Sequence, residues 1–149
     1  LLTDRINKRF GRGDWRPIVL LREHHEQNSI FRYYRAADVC YVSSLHDGMN
    51  LVAKEFIASR DDEQGVLVLS QFTGAARELT EALIVNPYDL DQASAALAAA
   101  LAMSPDEQRA RMSAMRAFVA DFNVYRWAGR MLADAARLRQ RDRLTGRFS

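Results

Sequence analysis

Lysine is nearly missing from this 149-residue chain: Lys8 and Lys54 stand against 19 arginines, a skew that reads as genomic composition bias. Acidic residues almost balance the basic ones, leaving a net charge of +2 and no general case for a nucleic-acid-binding surface. Cysteine occurs once, at Cys40, so no internal disulfide can form, and no Cys or His cluster has metal-ligand spacing. A reducing cytoplasm suits such a chain. No apolar run approaches the roughly 18 to 20 residues that span a bilayer, and the N-terminus lacks a signal-peptide pattern. Gly-x-Gly-x-x-Gly is absent, which disfavours a dinucleotide-binding oxidoreductase. Internal repeats and low-complexity linkers are lacking too, although residues 95–102 are rich in alanine, as closely packed helices require. The chain begins at Leu1 without a methionine, and the expectation is a fragment of something longer.

What is present is ordinary for one globular domain with a core: 48% hydrophobic and 27% charged residues. Leu2, Ile6 and Phe10 predict an amphipathic helix stopped by Gly11-Arg12-Gly13. Pro17 followed by Ile18-Val19-Leu20-Leu21 predicts a strand over residues 15–21 with proline at its first positions. A loop follows, and then a helix over residues 30–37 capped by Ser29. Short apolar runs at residues 39–42, 66–70 and 82–85 read as buried strands. Helices are expected between them over residues 49–58 and 74–80, the second capped by Thr73, and residues 60–65 read as an exposed turn. Alternation of this kind implies β-α-β units, a parallel sheet and Rossmann-like topology. From about residue 89 to 140 the chain is helical. Asp89 with Gln92, and Ser104 with Pro105 and Glu107, are helix starts. The expected buried stripes are Leu90, Ala93, Leu97 and Leu101, then Met112, Met115, Phe118, Val119 and Phe122, then Trp127, Met131, Ala135 and Leu138.

The richest stretch runs from Ser44 to Phe56, where a strand gives way to a helix through a tight turn containing Gly48. That geometry aims main-chain N–H groups of the first helical turn outward at the carboxyl edge of a sheet, where the helix dipole favours an anion such as phosphate. Asp47 before the turn and Glu55 beyond it suit hydroxyl groups. A ligand with a diphosphate in the middle and a sugar at each end, a nucleotide sugar, matches all three features. The plainer alternative is a glycine that any strand-to-helix turn uses, with one loop acid and one exposed helix acid.

Asp47-Gly48-Met49-Asn50-Leu51-Val52-Ala53-Lys54-Glu55 resembles the donor-site motif of the trehalose-6-phosphate synthase family, and the acidic-x7-acidic pattern of retaining glycosyltransferases built from two Rossmann domains, the GT-B type. Arg35-Ala36-Ala37-Asp38-Val39, the segment from Gly65 to Ala76 with Gln71-Phe72-Thr73-Gly74, and Ala82-Leu83-Ile84-Val85-Asn86-Pro87-Tyr88 match in the same order. The similarity covers residues 6–137. It implies an N-terminally truncated, nucleotide-sugar-binding Rossmann-like domain over residues 1–149, with a helical C-terminal part. The activity it implies is transfer of glucose, with retention and without a metal, from a nucleotide-diphosphate donor such as UDP-glucose to glucose-6-phosphate. Asp47, Gly48, Met49, Asn50, Leu51, Val52 and Glu55 would bind the donor, Asp47 at the hexose and Glu55 at the ribose. The turn's amides would take phosphates and sugar hydroxyls, with Met49 and Leu51 packing their side chains.

Of the histidines, His25 aligns with a loop position beside the nucleotide base, where a base contact and an ordinary surface-loop histidine are both open, and His46 replaces an arginine before the motif, so uridine, adenine and guanine donors all remain open. His24 and His46 read as surface residues. Arg137, Arg139, Arg141, Arg143 and Arg147 read as a solvated basic end rather than an RNA or membrane contact. The acceptor-binding domain, and an arginine and lysine that neutralise the donor diphosphate in the family, lie outside this sequence. The fragment is therefore expected to be inactive alone, with no confidently catalytic residue of its own and the missing N-terminal domain as partner; a homo-oligomer stays open. Two alternatives remain: a sister glucosyltransferase using glycerol phosphate or another acceptor, and a non-catalytic regulatory ligand-binding domain.

Overall fold

The computed structural model describes residues 1–122 and 124–145, with side chains described through residue 139. Two compact units divide the chain, residues 1–30 and 31–149.

In the first unit, α1 (Leu2–Phe10) ends as its sequence predicts, with the Gly11 N–H donating to the Asn7 carbonyl. The strand expected over residues 15–21 is not formed. Trp15 exchanges two main-chain hydrogen bonds with Arg12, and Ile18 bonds through both its N–H and carbonyl to the Asn7 side chain, at 2.9 and 2.8 Å. Val19, Leu20 and Leu21 are exposed. An apolar run becomes a strand only where a neighbouring strand satisfies its main chain, and here a side-chain amide takes that place. Helix α2 (Gln27–Ala36) starts earlier than a Ser29 cap predicts, because Ser29 and Ile30 already donate to the Glu26 carbonyl.

The second unit is built on a three-stranded parallel sheet in the order β1 (Val39–Val42), β2 (Val66–Ser70), β3 (Leu83–Val85). Val39 pairs with Val66, and Val68 with Leu83. Strand β2 is buried along its whole length, as a central strand covered on both faces must be. Its residues divide by the strand's two-residue period. Leu67 and Leu69 pack with Phe56 and Ile57 of α3 (Leu51–Ser59) and with Met112 and Met115 of α5 (Pro105–Asp121). Val66 and Val68 pack on the other face with Ala96, Leu97 and Ala100 of α4 (Leu90–Ala102). The result is an α/β three-layer arrangement, as the alternation of elements predicts.

The Asp89 and Ser104 side chains accept from the N–H groups of Gln92 and Glu107, so both helix starts are as expected. The stripe on α4 is met at Ala93, which is buried, and at Leu97, but not at Leu90 and Leu101, which are exposed. Ala96, Leu97 and Ala100 pack with Val66 and Val68, and the two alanines let the helix lie close. Nor does Thr73 cap a full helix: its hydroxyl donates to the Ser70 carbonyl, and only a short 3-10 turn, Gly74–Arg77, follows.

The final helix, α6 (Val124–Thr145), presents Trp127, Met131 and Leu138 largely to solvent, against the expectation of a buried face. Arg137 and Arg139 are exposed, whereas the side chains of Arg141 and Arg143 and all of Arg147 lie outside the described residues. Among the described residues no helix is long and apolar enough to cross a membrane.

Candidate functional site

Beyond β1, the loop of residues 43–50 is sewn to the loop that follows β2. The Asp47 N–H donates to the Phe72 carbonyl, the Gly74 N–H to the Asp47 carbonyl and the Ala75 N–H to the Met49 carbonyl, at 3.2, 2.9 and 3.0 Å. Gly74 admits no other residue without rearrangement, because a β-carbon there would collide with the carbonyl of Gly48. The segment from Asp47 to Asn50 is thus fixed at the carboxyl ends of neighbouring parallel strands, where open α/β sheets bind ligands.

Within that segment Asp47 works on its own loop. Its Oδ1 accepts from the N–H groups of Met49 (3.1 Å) and Asn50 (2.9 Å), and its Oδ2 accepts from the Asn50 amide nitrogen (2.9 Å). These donors favour the ionised carboxylate and hold its pKa below the ordinary value, the Asn50 side chain contributing most and the Met49 N–H next. Two of the amides expected to face a ligand are therefore taken by Asp47. Gly48 is not the residue that makes the turn possible: a β-carbon there would meet nothing, and the left-handed residue is Asn50, at φ 69°. Asparagine tolerates that conformation, and Asn50 Oδ1 also accepts from the Ala53 N–H (2.9 Å), capping α3.

The N–H groups still open are those of Leu51 and Val52, the first two positions of α3; among the described residues no protein acceptor reaches them. The side chains of Met49, Leu51 and Val52 are exposed rather than packed, at 46%, 59% and 43%. Glu55 follows one turn later on the side of the helix shared by Leu51 and Val52, and its Oε2 accepts from the Tyr34 hydroxyl at 3.4 Å. Asp47, the two open N–H groups and Glu55 thus belong to one short stretch at the start of α3. A cavity of about 490 Å³ opens beside it, walled by Met49, Leu51, Val119 and Trp127 and edged by Arg130 and by Lys54 in its ion pair with Glu78. His25 is half-buried in the first unit, ahead of α2, and His46 is exposed beside Asp47. Among the described residues no group of three His, Cys, Asp or Glu side chains is arranged to hold a metal ion.

The sequence profile of Glycosyltransferase family 20 matches residues 1–137. The chain belongs to this family. Over 97% of its length this family 20 chain is 46% identical to a trehalose-6-phosphate synthase of Klebsiella pneumoniae. Two solved structures superpose on 89% of it with a TM-score of 0.85. One, from E. coli and 44% identical, is bound with UDP-2-fluoro glucose. The other, a UDP-forming α,α-trehalose-phosphate synthase of Burkholderia xenovorans, 46% identical, is in complex with glucose-6-phosphate. The chain spans less than a third of the length of these relatives, 31% of the first and 30% of the other two. The fold is that of the corresponding portion of these GT-B enzymes.

Three residues of the neighbourhood escape a reading of the sequence. Tyr34 touches Glu55 from a different helix. Arg60, placed by the sequence in an exposed turn, is buried, and its Nη1 donates to the carbonyls of Tyr34, Arg35 and Ala37 at 3.0, 2.9 and 2.6 Å. Gly74 stands inside a family motif, but its contact with Gly48 is visible only in three dimensions.

Proposed function

We propose that this chain is the donor-binding portion of a retaining glucosyltransferase of trehalose biosynthesis, one that moves glucose from UDP-glucose to glucose-6-phosphate. The observation that carries the reading is the pair of open N–H groups at Leu51 and Val52 with Glu55 one turn further along the helix. A diphosphate at the helix start has two donors and the positive end of the helix dipole, while Glu55 offers an acceptor for ribose hydroxyls. Asp47 retains acceptor capacity on Oδ2 for one hydroxyl of the hexose, its remaining bonds shaping the loop that presents the amides. Identity of 44–46% to relatives bound with UDP-2-fluoro glucose or glucose-6-phosphate supports this substrate pair.

Leu51 and Val52 stabilise the negative charge that builds on the leaving diphosphate as the glycosidic bond breaks, a contribution made by fixed dipoles and not by a proton-transferring side chain. The reaction in this reading takes place in the cytoplasm, needs no resident metal, and uses acceptor-binding residues from the part of the relatives' length that this chain does not span.

Calorimetric titration with UDP, ADP and GDP, each with and without glucose, tests the proposal. UDP and UDP-glucose should bind, and Glu55→Gln should weaken both about tenfold while leaving the melting curve unchanged. Equal affinity for wild type and variant would remove Glu55 from the site.

A further inference from the structure

Glu55 is set apart from an ordinary helix-surface glutamate by what stands behind it. Tyr34 is held at three points. Its carbonyl accepts from the buried Arg60 guanidinium at 3.0 Å. Its ring meets the fully buried Phe56 edge-on, with centroids 6.1 Å apart, and is tilted against Phe31 at 6.5 Å. Main chain and ring are thereby fixed, and the hydroxyl has little freedom to leave Glu55 Oε2, 3.4 Å away.

The other carboxylate oxygen, Oε1, has no protein donor among the described residues. We propose that Tyr34 is a positioning residue for nucleotide recognition, donating its hydroxyl to one oxygen of Glu55 so that the carboxylate is already oriented when the two hydroxyls of a nucleoside diphosphate's ribose arrive. This rests on the reading that Glu55 receives the ribose. A glutamate on a helix surface samples several rotamers, and binding must stop that motion; a tether that has already stopped it makes the same contact stronger. Two adjacent hydroxyls on one carboxylate also demand a particular rotation of its plane, which a lone flexible chain does not hold. Burial, and then the neighbouring carboxylate, push the Tyr34 phenol up to about 12, so the hydroxyl keeps its proton and remains a donor near neutrality.

The test compares affinities for UDP and for 2′,3′-dideoxy-UDP in wild type, Tyr34→Phe and Glu55→Gln, each with a melting curve. Wild type should prefer the ribonucleotide, and Tyr34→Phe should shrink that preference about three- to tenfold, with the dideoxy affinity unchanged. A merely structural loss would weaken both ligands alike and keep their ratio, and that result would overturn the proposal. If Glu55→Gln abolishes the preference but Tyr34→Phe preserves it, the positioning role falls and the ribose role stands. If Glu55→Gln also preserves it, the reading of Glu55 falls and the proposal with it. Should Tyr34→Phe melt early, the wild-type chain decides by NMR: UDP must shift the Tyr34 ring signals and dideoxy-UDP must not, and equal responses sink the idea.

Discussion

Gly74 and Gly48 lie so close that a β-carbon added to Gly74 would overlap the Gly48 carbonyl oxygen and stand 2.9 Å from its carbonyl carbon. Both neighbours are main chain, so no side chain can swing aside to make room. The contact fixes the loop after β1 against the loop after β2, and through it the direction in which the first turn of α3 faces.

Gly74→Ala should therefore displace the segment from Asp47 to Asn50 instead of being absorbed locally. The expected cost is about 1–3 kcal/mol of stability, as for other forced overpacking, together with a weaker response to UDP. Denaturant unfolding and calorimetry check it. Gly48→Ala is the control, since a β-carbon at Gly48 meets nothing within 4 Å and should leave stability near that of wild type.

Asn50 joins three functions: a left-handed main chain, the cap of α3 and the chief stabiliser of ionised Asp47. Asn50→Ala should cost about 1–2 kcal/mol, and Asn50→Gly, which keeps the conformation but loses the side-chain bonds, should cost less. The variants separate conformation from hydrogen bonding in one unfolding series.

The Asp47 carboxyl titrates below its ordinary value of about 3.9, so its contribution to the loop is complete above that pH and is lost as pH falls through the depressed folded pKa. Amide signals of Met49 and Asn50, followed by NMR from pH 6 downward, should report that midpoint. In Asn50→Ala the midpoint should move up toward the ordinary value, because the largest stabilising interaction has gone.

Arg60 closes the carboxyl end of α2 with three hydrogen bonds to main-chain oxygens while Asp62 balances its charge. Arg60→Ala leaves those carbonyls without this donor and should destabilise the chain by about 2–4 kcal/mol. Arg60→Lys should recover little, since a single ammonium lacks the guanidinium's fixed fork and cannot serve the carbonyls and Asp62 together. Unfolding curves of the two variants are the measurement.

Burial pushes the Cys40 thiol up to about 11. At pH 8 the folded chain should alkylate about 100-fold more slowly than the unfolded chain, from its smaller thiolate fraction alone. The same shift makes stability lean on the protonated thiol: the contribution is full below the ordinary thiol pKa and is lost as pH rises toward 11. Labelling with and without denaturant, and an unfolding series between pH 8 and 11, check the two statements.

The sequence by itself determined the elements whose signals are local. The strands Val39–Val42 and Val66–Ser70 are short apolar runs with turn residues nearby, and the starts of α4 and α5 carry their own caps at Asp89 and Ser104. The turn into α3 was legible in the same way, because strand, turn and helical pattern follow one another closely in the chain. Tertiary structure decided whatever depends on partners far along the chain. Residues 18–21 have the composition of a strand, but Ile18 is bonded to Asn7 and no described strand pairs with it. Arg60 looks like a surface charge until the carbonyls of Tyr34, Arg35 and Ala37 surround it. Most of all, the N–H groups of Met49 and Asn50 donate to Asp47 while those of Leu51 and Val52 stay open, a distinction drawn by the path of a folded loop. A hydrogen bond is satisfied by whichever acceptor arrives first in space, and spacing along the chain carries no record of that.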